Sequence, residues 1–179
     1  MIHFPLRILL IEDNISDTIL IDRQIKKILS SPKIKIVTSF EGFVDSIKGF
    51  KPDVILSDYQ LNGFTGLEIL EYVRLNRIYT PFIFITGTIN DEELAASTIL
   101  TGATGYILKK HINTLSQKLL PYIKKIVTSK EKIKISKEQN ALFSSMHDYI
   151  EAMRRDNEMM RADYEEMKKA LDKIKAQNK

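Results

Sequence analysis

Short apolar runs alternate five times with helix-length amphipathic stretches between residues 7 and 127, and nothing else in the sequence constrains the fold as much. The runs are Arg7–Ile11, Ile34–Val37, Val54–Leu56, Phe82–Ile85 and a weaker Gly105–Leu108. They are rich in Ile, Val, Leu or Phe and are closed by polar or turn residues, the pattern of strands buried on both faces. The intervening stretches are Ser16–Leu29, Gly42–Phe50, Gly66–Leu75, Asp91–Leu100 and Asn113–Val127. Ser16 or Asp17 is expected to cap the first, and Asn113 or Thr114 the last. Acids Asp91, Glu92 and Glu93 suit the start of the fourth. Strand–helix alternation of this kind implies parallel strands joined by helical crossovers, an α/β fold with helices on both faces of one sheet. Ligands of such sheets sit beyond the carboxyl ends of the strands.

The residues at those ends form a chemical set. Glu12 and Asp13 close the first run, Asp58 the third, Thr86 the fourth and Lys109 the fifth. Each alone reads as a turn residue, a cap or solvated surface. Together they are coherent. Three clustered carboxylates raise one another's pKa unless a cation neutralises them, and a hard divalent ion such as Mg²⁺ with oxygen ligands does so. A lysine supplies a point charge for a phosphoryl oxygen, a threonine hydroxyl bonds another, and an aspartate serves as nucleophile to give an acyl phosphate. The parts suit in-line phosphoryl transfer.

Residues 5–127 resemble the receiver domain of bacterial two-component response regulators. The matching segments are Ile8-Leu9-Leu10-Ile11-Glu12-Asp13-Asn14, Asp53-Val54-Ile55-Leu56-Ser57-Asp58-Tyr59, Gly66-Leu67-Glu68, Pro81-Phe82-Ile83-Phe84-Ile85-Thr86-Gly87-Thr88 and Gly102-Ala103-Thr104-Gly105-Tyr106-Ile107-Leu108-Lys109. The resemblance implies a flavodoxin-like, doubly wound, five-stranded parallel sheet. It also implies Asp58 as phospho-acceptor, and Mg²⁺ held by Glu12, Asp13, Asp58 and the backbone carbonyl of Gln60. Thr86 matches the switch hydroxyl, Tyr106 the aromatic residue that follows it, and Lys109 the lysine that pairs with phosphoryl oxygens. The implied donor is a sensor histidine kinase or phosphotransfer protein. Two positions depart from the family pattern: Lys110 stands where proline usually follows the lysine, and Asn62 where proline is common. The stretch Thr86-Gly87-Thr88-Ile89-Asn90-Asp91-Glu92 resembles a subgroup often attached to sensory domains or sensor kinases.

About 50 residues follow Val127, without glycine or proline. The expected division is a receiver at 1–127, a polar linker or helix continuation at 128–139, and a long coiled-coil helix at 140–179. Phe143, Ile150, Asn157, Tyr164 and Leu171 fall at heptad position a, and Met146, Met153, Met160, Met167 and Ile174 at d. A 3.5-residue period sustained this long suits a coiled coil better than a helix folded onto its own domain. Asp156 and Asp163 at g face Arg161 and Lys168 at e of a parallel partner, so a parallel homodimer is expected. Asn157 is a polar a residue of the kind that fixes register. His147 falls at e and reads as surface.

Composition narrows the alternatives. The absence of cysteine excludes disulfides, thiolate metal sites and thiol catalysis. The apolar start, Met1–Leu10, is too short for a signal peptide or a membrane span, so a cytoplasmic location is expected. A net charge of +4, with lysines interleaved with acids, carries no concentrated basic patch, and no direct nucleic-acid binding is expected. A haloacid-dehalogenase-type phosphatase would place its nucleophile after the first strand with a second acid two residues on, whereas Asp58 follows the third run and Gln60 stands two on. A nucleotide-binding module would carry a glycine-rich loop where Glu12-Asp13-Asn14 stands. The chemistry is thus that of a receiver switching a partner-binding or dimer state, rather than of a turnover enzyme. The remaining alternative changes only the context: an N-terminal receiver fragment of a longer sensor kinase or signalling protein.

Overall fold

Strand β1 (Arg7–Ile11) is buried from Ile8 onward, and its alternate side chains enter two different cores. Ile8 and Leu10 join one cluster, Leu9 and Ile11 the other, as the two-residue side-chain period of a strand requires. The computed structural model describes residues 1–87 and 92–177. Thr88, Ile89, Asn90 and Asp91, including the expected start of the fourth helix, lie outside the described residues.

The remaining elements follow in alternation: α1 (Ile15–Ile28), β2 (Lys33–Val37), α2 (Phe40–Phe50), β3 (Val54–Ser57), β4 (Gln60–Leu61), β5 (Phe64–Thr65), α3 (Gly66–Leu75), β6 (Phe82–Thr86), α4 (Glu92–Leu100), β7 (Gly105–Leu108), a 3₁₀ helix (Lys109–Thr114) and α5 (Leu115–Gln177). The main sheet is parallel, in the order β2-β1-β3-β6-β7. Ile21, Ile25 and Ile28 of α1, and Leu115, Leu119 and Ile123 of α5, pack on one face. Phe43 and Ile47 of α2, and Ile69, Leu70 and Val73 of α3, pack on the other. Each such side chain, fully buried, contributes roughly 1.5–3 kcal/mol through the area it removes from water.

Two local expectations need correction, and one element is new. The N-cap of α1 is Asn14, whose side chain accepts the N–H of Asp17, so neither Ser16 nor Asp17 caps it. Asn14 has the extended backbone and the short polar acceptor that a cap needs. Strand β2 is not buried on both faces: it is the sheet edge, and only Val37 of its five residues is buried. The hairpin β4–β5 was not anticipated. Asn62-Gly63 turns it, with Gly63 at φ +84°, a conformation glycine adopts without strain.

Asp53, at the start of β3, is buried at the end of the sheet remote from Asp58. It accepts the backbone N–H of Arg7 at 2.8 Å and pairs with Lys130. Asp53→Ala leaves the Arg7 N–H without its acceptor and is expected to cost about 1–3 kcal/mol in denaturant unfolding.

The chain divides into two compact units, Met1–Lys130 and Glu131–Lys179. In the second unit the helix exposes large apolar side chains at the expected seam, from Ile150 at 46% to Met167 at 73%. Phe143, Met146, Met153, Met160 and Tyr164 lie between those values. The side chains of Leu171 and Ile174 lie outside the described residues. Among the described residues no helix is long and apolar enough to cross a membrane.

Candidate functional site: an acidic cleft closed by Lys109

The sheet order reverses between β1 and β3, and backbone bonds at the ends of β1, β2 and β3 bring two acids together. The N–H of Asp58 donates to the carbonyl of Ile11 at 2.9 Å, and the N–H of Glu12 to that of Val37 at 3.1 Å. Glu12 and Asp58 therefore leave adjacent strands at the same edge, both buried. Strand β7 pairs with β6 so that Leu108 lies opposite Thr86, and Lys109 follows immediately. Its stem passes Gly87, where an added Cβ would meet Lys109 Cδ at 3.9 Å.

The ammonium of Lys109 sits among three carboxylates. Its distances are 2.6 Å to Asp58 Oδ2, 2.7 Å to Asp17 Oδ2 and 2.8 Å to Glu12 Oε2. Burial alone would lower the Lys109 pKa, but the hydrogen bonds that the ammonium donates to Asp17, Asp58 and Glu12 outweigh it and push the pKa up, which keeps the ammonium charged. Burial raises the Glu12 pKa; Lys109 and the Asn14 N–H oppose that shift, and the Asp58 charge adds to it. The other Asp58 oxygen, Oδ1, accepts the N–H of Tyr59 at 2.6 Å and that of Gln60 at 3.3 Å. Asp58 is thus held with one oxygen pinned by backbone and the other turned to a cation.

The hairpin fixes the outer wall of the cleft. Phe64 of β5 packs edge-on against Phe40 at 6.1 Å, and the N–H of Asn62 donates to Asp13 Oδ2 at 2.8 Å. Asp13 is half-buried and is held to the hairpin by that bond. Gly66 closes the floor. A Cβ there would lie 2.2 Å from the Asp58 carbonyl oxygen and 2.8 Å from Phe84 Cε1, closer than any real contact. Gly66→Ala is expected to cost about 1–3 kcal/mol through overpacking and to move the Asp58 loop, checked by unfolding together with amide shifts of Tyr59 and Gln60.

Thr86 is buried at the end of β6. Tyr106 lies against Phe84, with ring centroids 6.3 Å apart, and Phe84 in turn lies 5.8 Å from Tyr59. Aromatic contacts therefore run from the residue beside Asp58 to Tyr106. Sequence reasoning missed Asp17 as a member of the cleft, because it was read as a candidate cap of the first helix, a place that Asn14 takes.

Residues 8–120 match the response regulator receiver domain, and the chain belongs to that family. It is a signalling module of two-component systems rather than a member of a catalytic enzyme family, and its class implies a histidine kinase partner. The cell cycle response regulator CtrA of Brucella ovis is 30% identical over 106 residues, which cover 58% of this chain and 44% of that protein. The DNA-binding transcriptional activator EvgA of Escherichia coli is 31% identical over 67 residues, covering 37% of this chain and 32% of EvgA. The matches thus span less than half the length of these relatives. Among solved structures, the signal receiver domain of a LuxO-type repressor protein from Vibrio parahaemolyticus superposes with a TM-score of 0.63 at 25% identity, covering 71% of this chain and 96% of that one. The Mn²⁺-bound form of the response regulator Rcp1 superposes at 0.56 with 21% identity, covering 64% and 91%, and shares the fold.

Receiver domains typically bind Mg²⁺. The acids of the cleft fit such an ion by their chemistry. Glu12 Oε2 is buried and meets the Lys109 ammonium at 2.8 Å. Hard carboxylate oxygens of this kind suit Mg²⁺. Among the described residues no three acidic or histidine side chains are gathered at ligand distances; Glu12, Asp17 and Asp58 are gathered around the ammonium instead.

Proposed function

We propose that Asp58 accepts a phosphoryl group from a phosphohistidine of a sensor kinase or phosphotransfer protein, and that its phosphorylation switches a dimer or partner-binding state. The observation that carries this reading is the state of Asp58: buried, with Oδ1 held by two backbone N–H groups and Oδ2 2.6 Å from Lys109. Oδ2 attacks phosphorus as the bond to the imidazole nitrogen breaks, leaving an acyl phosphate. Lys109 pairs with the arriving phosphoryl oxygens as a point charge. Mg²⁺, held by Glu12, Asp13, Asp58 and the carbonyl of Gln60, would neutralise the acids and the phosphoryl charge. Thr86 donates its hydroxyl to a phosphoryl oxygen, and Tyr106 follows it, biasing a two-state element made of β6, β7 and the helix between them.

The division into a receiver at 1–127, a connection at 128–139 and a coil at 140–179 belongs to the same reading, as does a cytoplasmic location. The exposed a and d side chains of the second unit pair with a second copy in a parallel coil, supported by the opposite charges of Asp156 and Arg161 and of Asp163 and Lys168.

Incubation with a small phosphodonor and Mg²⁺ tests the chemistry. The expected result is one phosphoryl group per chain, labile to hydroxylamine, followed by slow decay. Continuous release of phosphate at many turnovers per minute would mark a phosphatase and overturn the proposal.

A further inference from the structure

Asp17 belongs to the cleft by contact, yet none of the roles above uses it. Its own N–H goes to the side chain of Asn14, so its carboxylate is not needed to cap α1. Its Oδ2 lies 2.7 Å from Lys109 Nζ, across a sequence separation of 92 residues. The three donors of the ammonium thus face three acids, and the side chain of Lys109 is 13% exposed.

The three partners are not equivalent. Glu12 and Asp58 are carboxylates that a divalent ion would also engage under the function proposed above, on which this inference rests. With those two alone, the ammonium and the ion would be direct rivals for the same oxygens. Asp17 stands on α1, outside that pair. It offers the ammonium a place beside the cleft that the ion does not claim. An ammonium resting on Asp17 vacates Glu12, stays in reach of Asp58, and keeps two donors free for phosphoryl oxygens.

We propose that Asp17 is a positioning residue for Lys109: it holds the ammonium at Asp58 while releasing the acids that bind the divalent ion. Asp17 then acts on cation binding through the lysine. A plain negative charge at the same place would act on the cation directly and would do so with or without Lys109.

Calorimetric Mg²⁺ titration of the full chain separates the two. Four proteins are compared: the native chain, Asp17→Asn, Lys109→Met and the double variant. Asp17→Asn is expected to weaken Mg²⁺ binding by about tenfold when Lys109 is present and by no more than about threefold in the Lys109→Met background, the non-additivity of residues that act as a unit. Lys109→Met alone is expected to strengthen binding. Asp17→Glu, which retains an acid for the lysine, is expected to restore affinity to within about threefold of native. Equal factors for Asp17→Asn in both backgrounds would overturn the inference, as would an Asp17→Glu protein as weak as Asp17→Asn. A native chain that takes up no Mg²⁺ would instead overturn the functional reading beneath it.

Discussion

Asp58→Asn is expected to lower phosphoryl incorporation from a small donor to background, the largest single effect on the chemistry of this protein. The substitution keeps the shape of the side chain, and its amide oxygen can still accept the Tyr59 N–H that now binds Oδ1 at 2.6 Å. What it removes is the nucleophile, because an amide does not form an acyl phosphate under these conditions. The folded state should survive. Loss of one carboxylate leaves Glu12 and Asp17 to hold the Lys109 ammonium at 2.8 and 2.7 Å. Radiolabelled donor with gel autoradiography reads the loss directly, and a thermal melt checks the fold. Labelling of Asp58→Asn at the native level would place the acceptor elsewhere and sink the assignment.

The second large effect concerns association. Ile150→Glu combined with Met153→Glu is expected to convert a dimer into a monomer, with the dissociation constant raised by at least about a thousandfold, or roughly 4 kcal/mol. In the single chain both side chains are about half exposed, so the substitutions cost the monomer little. In a parallel coil they would sit at a and d and bury four like charges close together, which the packing cannot tolerate. Sedimentation equilibrium of the native and substituted chains measures this. A native chain that sediments as a monomer at high micromolar concentration would remove the paired helix from the account. Asn157→Ile makes a finer test: it removes the polar a residue and is expected to broaden the distribution of oligomers while tightening association.

The parallel sheet could be read from the sequence because its central strands are buried on both faces and announce themselves as continuous apolar runs. β1 runs over the residues expected, and so does β7, although it lies at an edge of the sheet. β2 ran counter to that signal: Ile34 and Ile36 suggested a buried strand, but the edge of the sheet exposes Ile36 at 45%. Edge and centre differ in neighbours, which a single run does not encode. The hairpin after Asp58 escaped because strands of two residues have no period; its signal was the Asn62-Gly63 dipeptide. In the cleft, strand-end position identified Glu12, Asp58 and Lys109, which the fold brings into direct contact. Asp17 was hidden by the wrong choice of cap. Once Asn14 is recognised as the cap, three residues before it, the acid becomes free for another partner.

The charge that closes this cleft is also the last of its parts to be synthesised. Lys109 is delivered by the edge strand β7, after Glu12, Asp17 and Asp58 have already left the ribosome. A nascent chain that has folded its first four sheet strands carries Glu12 and Asp58 at one sheet edge, with Asp17 on α1 and no ammonium among the three, and their mutual repulsion works against closure. Docking of β7 removes that repulsion and creates the site in the same event. The last strand of the sheet and the ion pairs of Lys109 are therefore completed together.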